Sequence, residues 1–248
     1  MLKNLHKSLC FWCIIDMVVT KFHNWNLTPQ EAVRTQAEMR QRLVLSWDNR
    51  PVETIGGVDV SIQAEHTRAA IVVLRYPSLI PVEAVVEDAP LVFPYIPGLL
   101  VFREGPAVLA AWSQLQNKPD LLMFDGQGIA HPRGIGIASH MGLWLERPTI
   151  GVAKSRLYGL HGEVGPRRGD RVALLDKTAN VIGAVLRTRE KTNPLYISPG
   201  HLMDVSHAVE FVMACNTTYR LPEPTRWAHK VAGGEQLPRP EDDQPKLF

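Results

Sequence analysis

The sequence predicts an α/β protein built on one mixed sheet, an antiparallel meander extended by parallel strands and flanked by helices. Three observations carry this. The β-branched, apolar segments 54–62, 69–76 and 80–86 follow one another across short connections, the pattern of strands that pair as hairpins. The apolar runs 121–124 and 149–153 alternate with segments of helical periodicity, which adds parallel strands to the meander. Segments 172–175 and 181–186 then flank the turn 177–180 as a further hairpin, with a last short strand at 195–197.

At 248 residues, 45% of them hydrophobic, the chain is large enough for a sizeable core in one large domain or two small ones. A formal net charge of +2 argues nothing by itself, although basic residues cluster after Lys154. Residues 1–21 read as an N-terminal extension or a start upstream of the native one. Their apolar patch, 9–19, is broken by Asp16 and too short for a membrane span, and Met17 offers another start. Cys10 and Cys13 form a C-x-x-C with no second pair. With Cys215 they make an odd set of three, which implies no disulfide framework and a reducing, cytoplasmic setting. One domain is expected over 22–233, and a disordered tail over 234–248, rich in proline and charge from Pro238.

Within the domain, Thr28-Pro29-Gln30-Glu31 is a helix start, with Thr28 as N-cap, Pro29 in the first turn and Glu31 at the capping-box position; the helix should run to about residue 45. Strand 54–62 carries Asp59 in its middle. Pro94-Tyr95-Ile96-Pro97-Gly98 is a stiff, proline-bracketed loop. Pro106 is expected to open a helix that Asn117-Lys118-Pro119 ends, with Glu104 just before it. Helices are expected over 135–145 and 204–215, a Gly- and Arg-rich surface loop over 155–171, and a final helix from Pro222.

Strand 121–124 runs into Asp125, Gly126 and Gly128. An acid there is either a helix cap or a ligand at the functional edge of a sheet. A meander followed by helix, strand, helix and strand describes a ribonuclease H-like fold, in which the first strand and the strand after the first helix lie side by side. Asp59 and Asp125 would then face each other, and Glu104 would lean toward the same edge at the positive end of a helix. Clustered carboxylates repel unless a cation neutralises them, and hard oxygen ligands suit Mg²⁺ or Mn²⁺. Two such ions about 4 Å apart activate water and steady the leaving oxygen in phosphodiester hydrolysis.

Six segments in order, Gly57-Val58-Asp59-Val60, Pro94-Tyr95-Ile96-Pro97-Gly98, Phe102-Arg103-Glu104, Phe124-Asp125-Gly126 with Gly128-Ile129-Ala130-His131-Pro132-Arg133, Gly151-Val152-Ala153-Lys154 and Leu221-Pro222-Glu223-Pro224-Thr225-Arg226, resemble the endonuclease V family. The resemblance implies a Mg²⁺-dependent repair endonuclease, with Mn²⁺ as a substitute, that recognises deaminated bases in DNA, chiefly deoxyinosine. It implies hydrolysis of the second phosphodiester bond 3′ to the lesion, leaving 3′-hydroxyl and 5′-phosphate ends, by a cytoplasmic monomer. By matching position, Asp59, Asp125 and Glu104 form the acidic metal centre. His229 occupies a position that holds an acid in many members; there it is either a softer metal ligand that favours Mn²⁺ or an exposed helix histidine. Gln127 stands where a histidine is common.

In the same pattern Lys154 holds a phosphate or the attacking water, and His131 either touches the phosphate or orders its loop. Tyr95 and Ile96, stiffened by Pro94, Pro97 and Gly98, fill the space left by an extruded base. Gly126 and Gly128 let backbone approach that base, and Arg133, Arg156, Arg167, Arg168, Arg187 and Arg189 are candidates for phosphate contacts. Three other readings stay open: an inosine-specific endoribonuclease, a non-catalytic nucleic-acid-binding module of the same fold, and a dinucleotide enzyme built on Gly126-Gln127-Gly128. The last lacks a third glycine, since position 131 is His131, and its loop follows an acid that would repel pyrophosphate.

Overall fold

A computed structural model of the chain describes residues 22–63 and 66–237. The Cys10–Cys13 pair, the apolar patch 9–19 and the tail from Pro238 lie outside the described residues. Helix α1 (Pro29–Arg40) is capped as its sequence predicts, Thr28 and Glu31 each bonding the other's backbone amide, but it stops well short of residue 45.

Strands β1 (Thr54–Gln63), β2 (His66–Arg75) and β3 (Pro81–Pro90) form the expected antiparallel meander. Then come α2 (Leu100–Gln114), β4 (Leu121–Phe124), α3 (Ile137–Leu145) and β5 (Thr149–Ala153). β6 (Arg171–Leu175), β7 (Val181–Leu186) and β8 (Leu195–Pro199) follow, and α4 (Val205–Ala214) and α5 (Glu223–Ala232) close the chain. The eight strands form one sheet in the order β3-β2-β1-β4-β5-β8-β7-β6, parallel only across β1-β4-β5. The mixed α/β sheet is therefore as expected.

Packing on the two faces follows from strand alternation. On β4, Leu122 and Phe124 enter the core shared with α1, α2 and α3, whereas Leu121 and Met123 enter the one shared with α4. α5 covers the latter face of the meander, packing Ala228, Val231 and Ala232 on Ala70, Val72 and Leu74 of β2. The segment leading into α1 docks on α3, with His23 Nε2 2.8 Å from His140 Nε2 and Trp25 among the buried core residues.

A second boundary also departs from expectation. α2 begins six residues before Pro106, which sits inside it. A proline in a helix interior loses a hydrogen bond and crowds the preceding turn. Here Val101, Phe102, Gly105, Pro106 and Val108 are all buried, and burial of that continuous apolar face outweighs the local penalty. Glu104 consequently lies in the second turn of α2, past the first-turn position where a helix N-terminus favours acids.

Candidate active site

β1 and β4 run parallel with Val58 opposite Phe124, so Asp59, midway along β1, and Asp125, just past the end of β4, lie side by side. The Asp125 amide donates to the Val58 carbonyl at 2.9 Å and fixes this placement. Asp59 is buried, with Oδ1 accepting from the Val60 amide at 2.9 Å and Oδ2 2.8 Å from His229 Nδ1 on α5. Lys154, just past β5, donates its ammonium to Asp125 Oδ2. One ligand atom each from Asp59, Asp125 and His229 lies within 4.8 Å of the other two. Asp125 is thus a member of a donor cluster and not a helix cap.

Electrostatics show what this cluster lacks. Burial first, and then the neighbouring Asp59 charge, pushes the Glu104 carboxyl up to about 8, with Asp125 adding and Arg103 opposing. Asp125 is also raised, chiefly by burial and by Asp59, against the Lys154 contact. Packing of this kind disfavours the charged form of each acid, and a further positive charge would relieve it. Two carboxylate donors and an imidazole fit a divalent ion, with Glu104 facing the same charges across the sheet edge.

A pH dependence follows. Folding raises the Glu104 carboxyl above its ordinary 4.5, so the folded state keeps a proton that the unfolded chain releases. That contribution is whole below pH 4.5 and is lost as pH rises toward 8. His131, pushed down to about 4 by burial and the Arg133 charge, acts the other way, as do His23, His140 and His201, lowered chiefly by burial; their effect is nearly complete about one unit above the ordinary 6.5. Between about pH 7.5 and 8.5 in EDTA, the thermal midpoint should therefore fall for the wild type and fall less for Glu104→Gln. Parallel curves would remove Glu104 as the cause.

The cluster opens into a cavity of about 650 Å³ whose wall includes Tyr95, Pro97, Gly98, Gly126, Gln127 and Ile137. Tyr95 is 66% exposed, its ring 5.9 Å from the Arg103 guanidinium carbon. The loop that carries it is held from behind. The Gly98 carbonyl accepts from Gln36 Nε2 at 3.0 Å, His131 Nε2 at 3.0 Å and Arg133 Nη2 at 2.6 Å. Because His131 Nδ1 accepts from the Arg133 amide, the proton of the neutral ring sits on Nε2. Both ring nitrogens are committed, so the geometry favours the loop-ordering reading of His131.

Other candidates divide. Ile96 packs against the core and Pro94 stands off the cavity wall. Gly126 lines the cavity, but Gly128 packs beneath it: a Cβ there would come within 2.1 Å of the Pro199 carbonyl oxygen. Arg133, Arg168 and Arg187 brace the fold, Arg168 on the Asn216 carbonyl and Arg187 on those of Val164, Gly165 and Thr192. Arg156 and Arg189 stay exposed.

Two supporting residues escaped the sequence reading. Gln36 is buried on the apolar stripe of α1 between Ala32 and Met39, and a polar residue at such a position was the available signal. Arg220 donates to the carbonyls of Asn193, Pro194 and Lys154 at 2.7–3.0 Å and so holds the backbone of the lysine. Nothing local in the sequence marks it.

A sequence model of the endonuclease V family matches residues 37–230. The chain belongs to the endonuclease V family. It is a nuclease, and its sheet is of the ribonuclease H-like kind. It is 47% identical over 219 residues to endonuclease V of Trichormus variabilis, covering 87% of this chain and 99% of that protein. The Streptomyces avermitilis endonuclease V structure is 39% identical with a TM-score of 0.80, over 84% of this chain and 93% of its own. Endonuclease V of Ciona intestinalis, solved in complex with a 24mer DNA containing an inosine followed by a ribo-adenosine, is 26% identical with a TM-score of 0.70, over 82% of this chain and 95% of its own. Among the described residues no helix is long and apolar enough to cross a membrane.

Proposed function

We propose that this chain is a Mg²⁺-dependent DNA repair endonuclease that recognises deoxyinosine and hydrolyses the second phosphodiester bond on its 3′ side, leaving 3′-hydroxyl and 5′-phosphate ends. The observation that carries this is the convergence of Asp59, Asp125 and His229 at the mouth of a cavity bordered by Tyr95. The inosine in the Ciona complex supports the choice of lesion.

In this reading Asp59, Asp125 and His229 hold the ion and Glu104 completes its acidic surroundings. A divalent ion held there would supply Lewis acidity toward the phosphate and toward the attacking water. Lys154, whose ammonium already neutralises Asp125, lies within reach of a phosphate oxygen at the same edge. Tyr95, rigid on its tied loop, fills the stack when the lesion turns out, and the cavity receives the base away from solvent. Asp59 keeps His229 oriented through the 2.8 Å contact, so the softer ligand is held by a harder one.

The test is a gel assay on an end-labelled strand with one deoxyinosine, alone and in duplex. Nicking at the second bond 3′ to the lesion is expected with Mg²⁺ and none with EDTA. Equal cutting in EDTA, or equal cutting of an undamaged strand, would overturn the reading. An inosine-containing RNA in the same assay ranks the two nucleic acids. The ribo-adenosine beside the lesion in the Ciona complex is the reason to include it.

A further inference from the structure

We propose that Tyr219 is a second stacking platform of the site, a fixed ring that holds a base of the bound strand outside the cavity. The proposal rests on the reading above of the chain as a nuclease of inosine-containing strands.

Tyr219 precedes α5 and is 49% exposed. One face of its ring is occupied, with the Arg226 guanidinium carbon 4.4 Å from the centroid. Arg226 is in turn 4.9 Å from the Trp227 ring centroid, and Lys230 Nζ lies 5.4 Å from the same centroid. The guanidinium cannot swing away, because Nε and Nη2 both donate to Glu223 Oε2, at 2.9 and 2.5 Å. Glu223 is itself buried and accepts from Thr217 Oγ1 at 2.5 Å.

The backbone beneath the ring is pinned as well. Asn216 Nδ2 donates to the Tyr219 carbonyl at 2.7 Å, Thr188 Oγ1 to the Arg220 carbonyl at 2.6 Å, and the Glu223 amide to the Cys215 carbonyl at 2.8 Å. Such a ring gives up little freedom on binding, and base–aromatic stacking tolerates any base. Glu223 neutralises Arg226, so this surface offers a flat π-face more than a charge for phosphate.

Its location selects the occupant. The next residue, Arg220, donates to the Lys154 carbonyl at 2.9 Å, and Arg226 lies one helical turn before His229. The ring is therefore continuous with the catalytic edge, yet Tyr219 forms no part of the cavity wall. A strand whose scissile phosphate sits at Lys154 and whose lesion fills the cavity can bring only a neighbouring nucleotide to Tyr219.

The test compares wild type, Tyr219→Phe and Tyr219→Ala on deoxyinosine strands in which each flanking nucleotide in turn is replaced by an abasic residue. Tyr219→Ala should raise Kd about fivefold or more, with the salt slope of binding, the thermal midpoint and Mn²⁺ affinity unchanged, and Tyr219→Phe should restore binding. For the wild type one abasic position should cost as much as the mutation, and that position should cost the alanine variant nothing. A changed salt slope, lost Mn²⁺ affinity, or equal binding by wild type and alanine variant at every position would overturn the platform. Failure of the wild type to cut any deoxyinosine strand would overturn the parent reading and the platform with it. Intact wild-type cutting with an indifferent Tyr219→Ala would overturn the platform alone.

Discussion

Asp125→Ala should lower cleavage of a deoxyinosine strand by at least about a thousandfold, the scale expected when a catalytic metal loses a ligand. The fold should not suffer. The Asp125 amide keeps its bond to the Val58 carbonyl whatever the side chain, and the register of β1 and β4 depends on backbone. The carboxylate itself is a burden in the metal-free protein: burial and the Asp59 charge raise its pKa, and its charge helps to raise that of Glu104. Lys154, which offsets it most strongly, with His229 adding less, has a side chain 37% exposed and returns to water when the acid is removed. A thermal midpoint in EDTA equal to or above that of the wild type, together with lost cleavage and weakened Mn²⁺ binding in titration calorimetry, is the expected signature. More than a tenth of wild-type cleavage at saturating Mg²⁺ would remove Asp125 from the metal centre.

The position of Asp125 illustrates how far the sequence can be read. Its strand ends in an acid and glycines. The pairing of Asp59 with Asp125 was legible only through the ribonuclease H-like layout that the order of elements describes, because short connections alone would have set β4 beside β3. Glu104 was legible as an acid near the site but not as a second-turn residue, because the proline signal at Pro106 competed with an apolar face that only tertiary packing could weigh. His229 could be matched by position, while its contact with Asp59 spans 170 residues and depends on how α5 lies across the sheet. The arginines were least legible. Arg133, Arg168 and Arg187 carry the charge of phosphate ligands, yet each is spent on backbone carbonyls or a buried side chain, and charge in a sequence does not reveal its partner.

How α5 lies across the sheet leads to the second large effect, in Gly57→Ala. A Cβ on Gly57 would stand 1.8 Å from the Pro224 carbonyl oxygen and 2.2 Å from its carbon, both backbone atoms that no rotamer change can move. The start of α5 must lift from β1 or β1 must bend. Gly57 and Asp59 point to the same face of β1, so the helix that Gly57 admits is the one that brings His229 to Asp59. Overpacking of this kind costs about 1–3 kcal/mol, here through looser packing of Ala228, Val231 and Ala232 on β2. The catalytic loss should be larger than the stability loss, because a shift of about 1 Å in a catalytic group can cost a hundredfold. Urea unfolding, Mn²⁺ titration and cleavage of the deoxyinosine strand measure the three consequences. Gly162→Ala is the control, since a Cβ at Gly162 meets nothing within 4 Å. A Gly57→Ala protein as stable and active as that control would mean that α5 is not seated on β1 through this contact. A stable protein that has lost Mn²⁺ affinity would instead show that the glycine acts on function through the placement of His229.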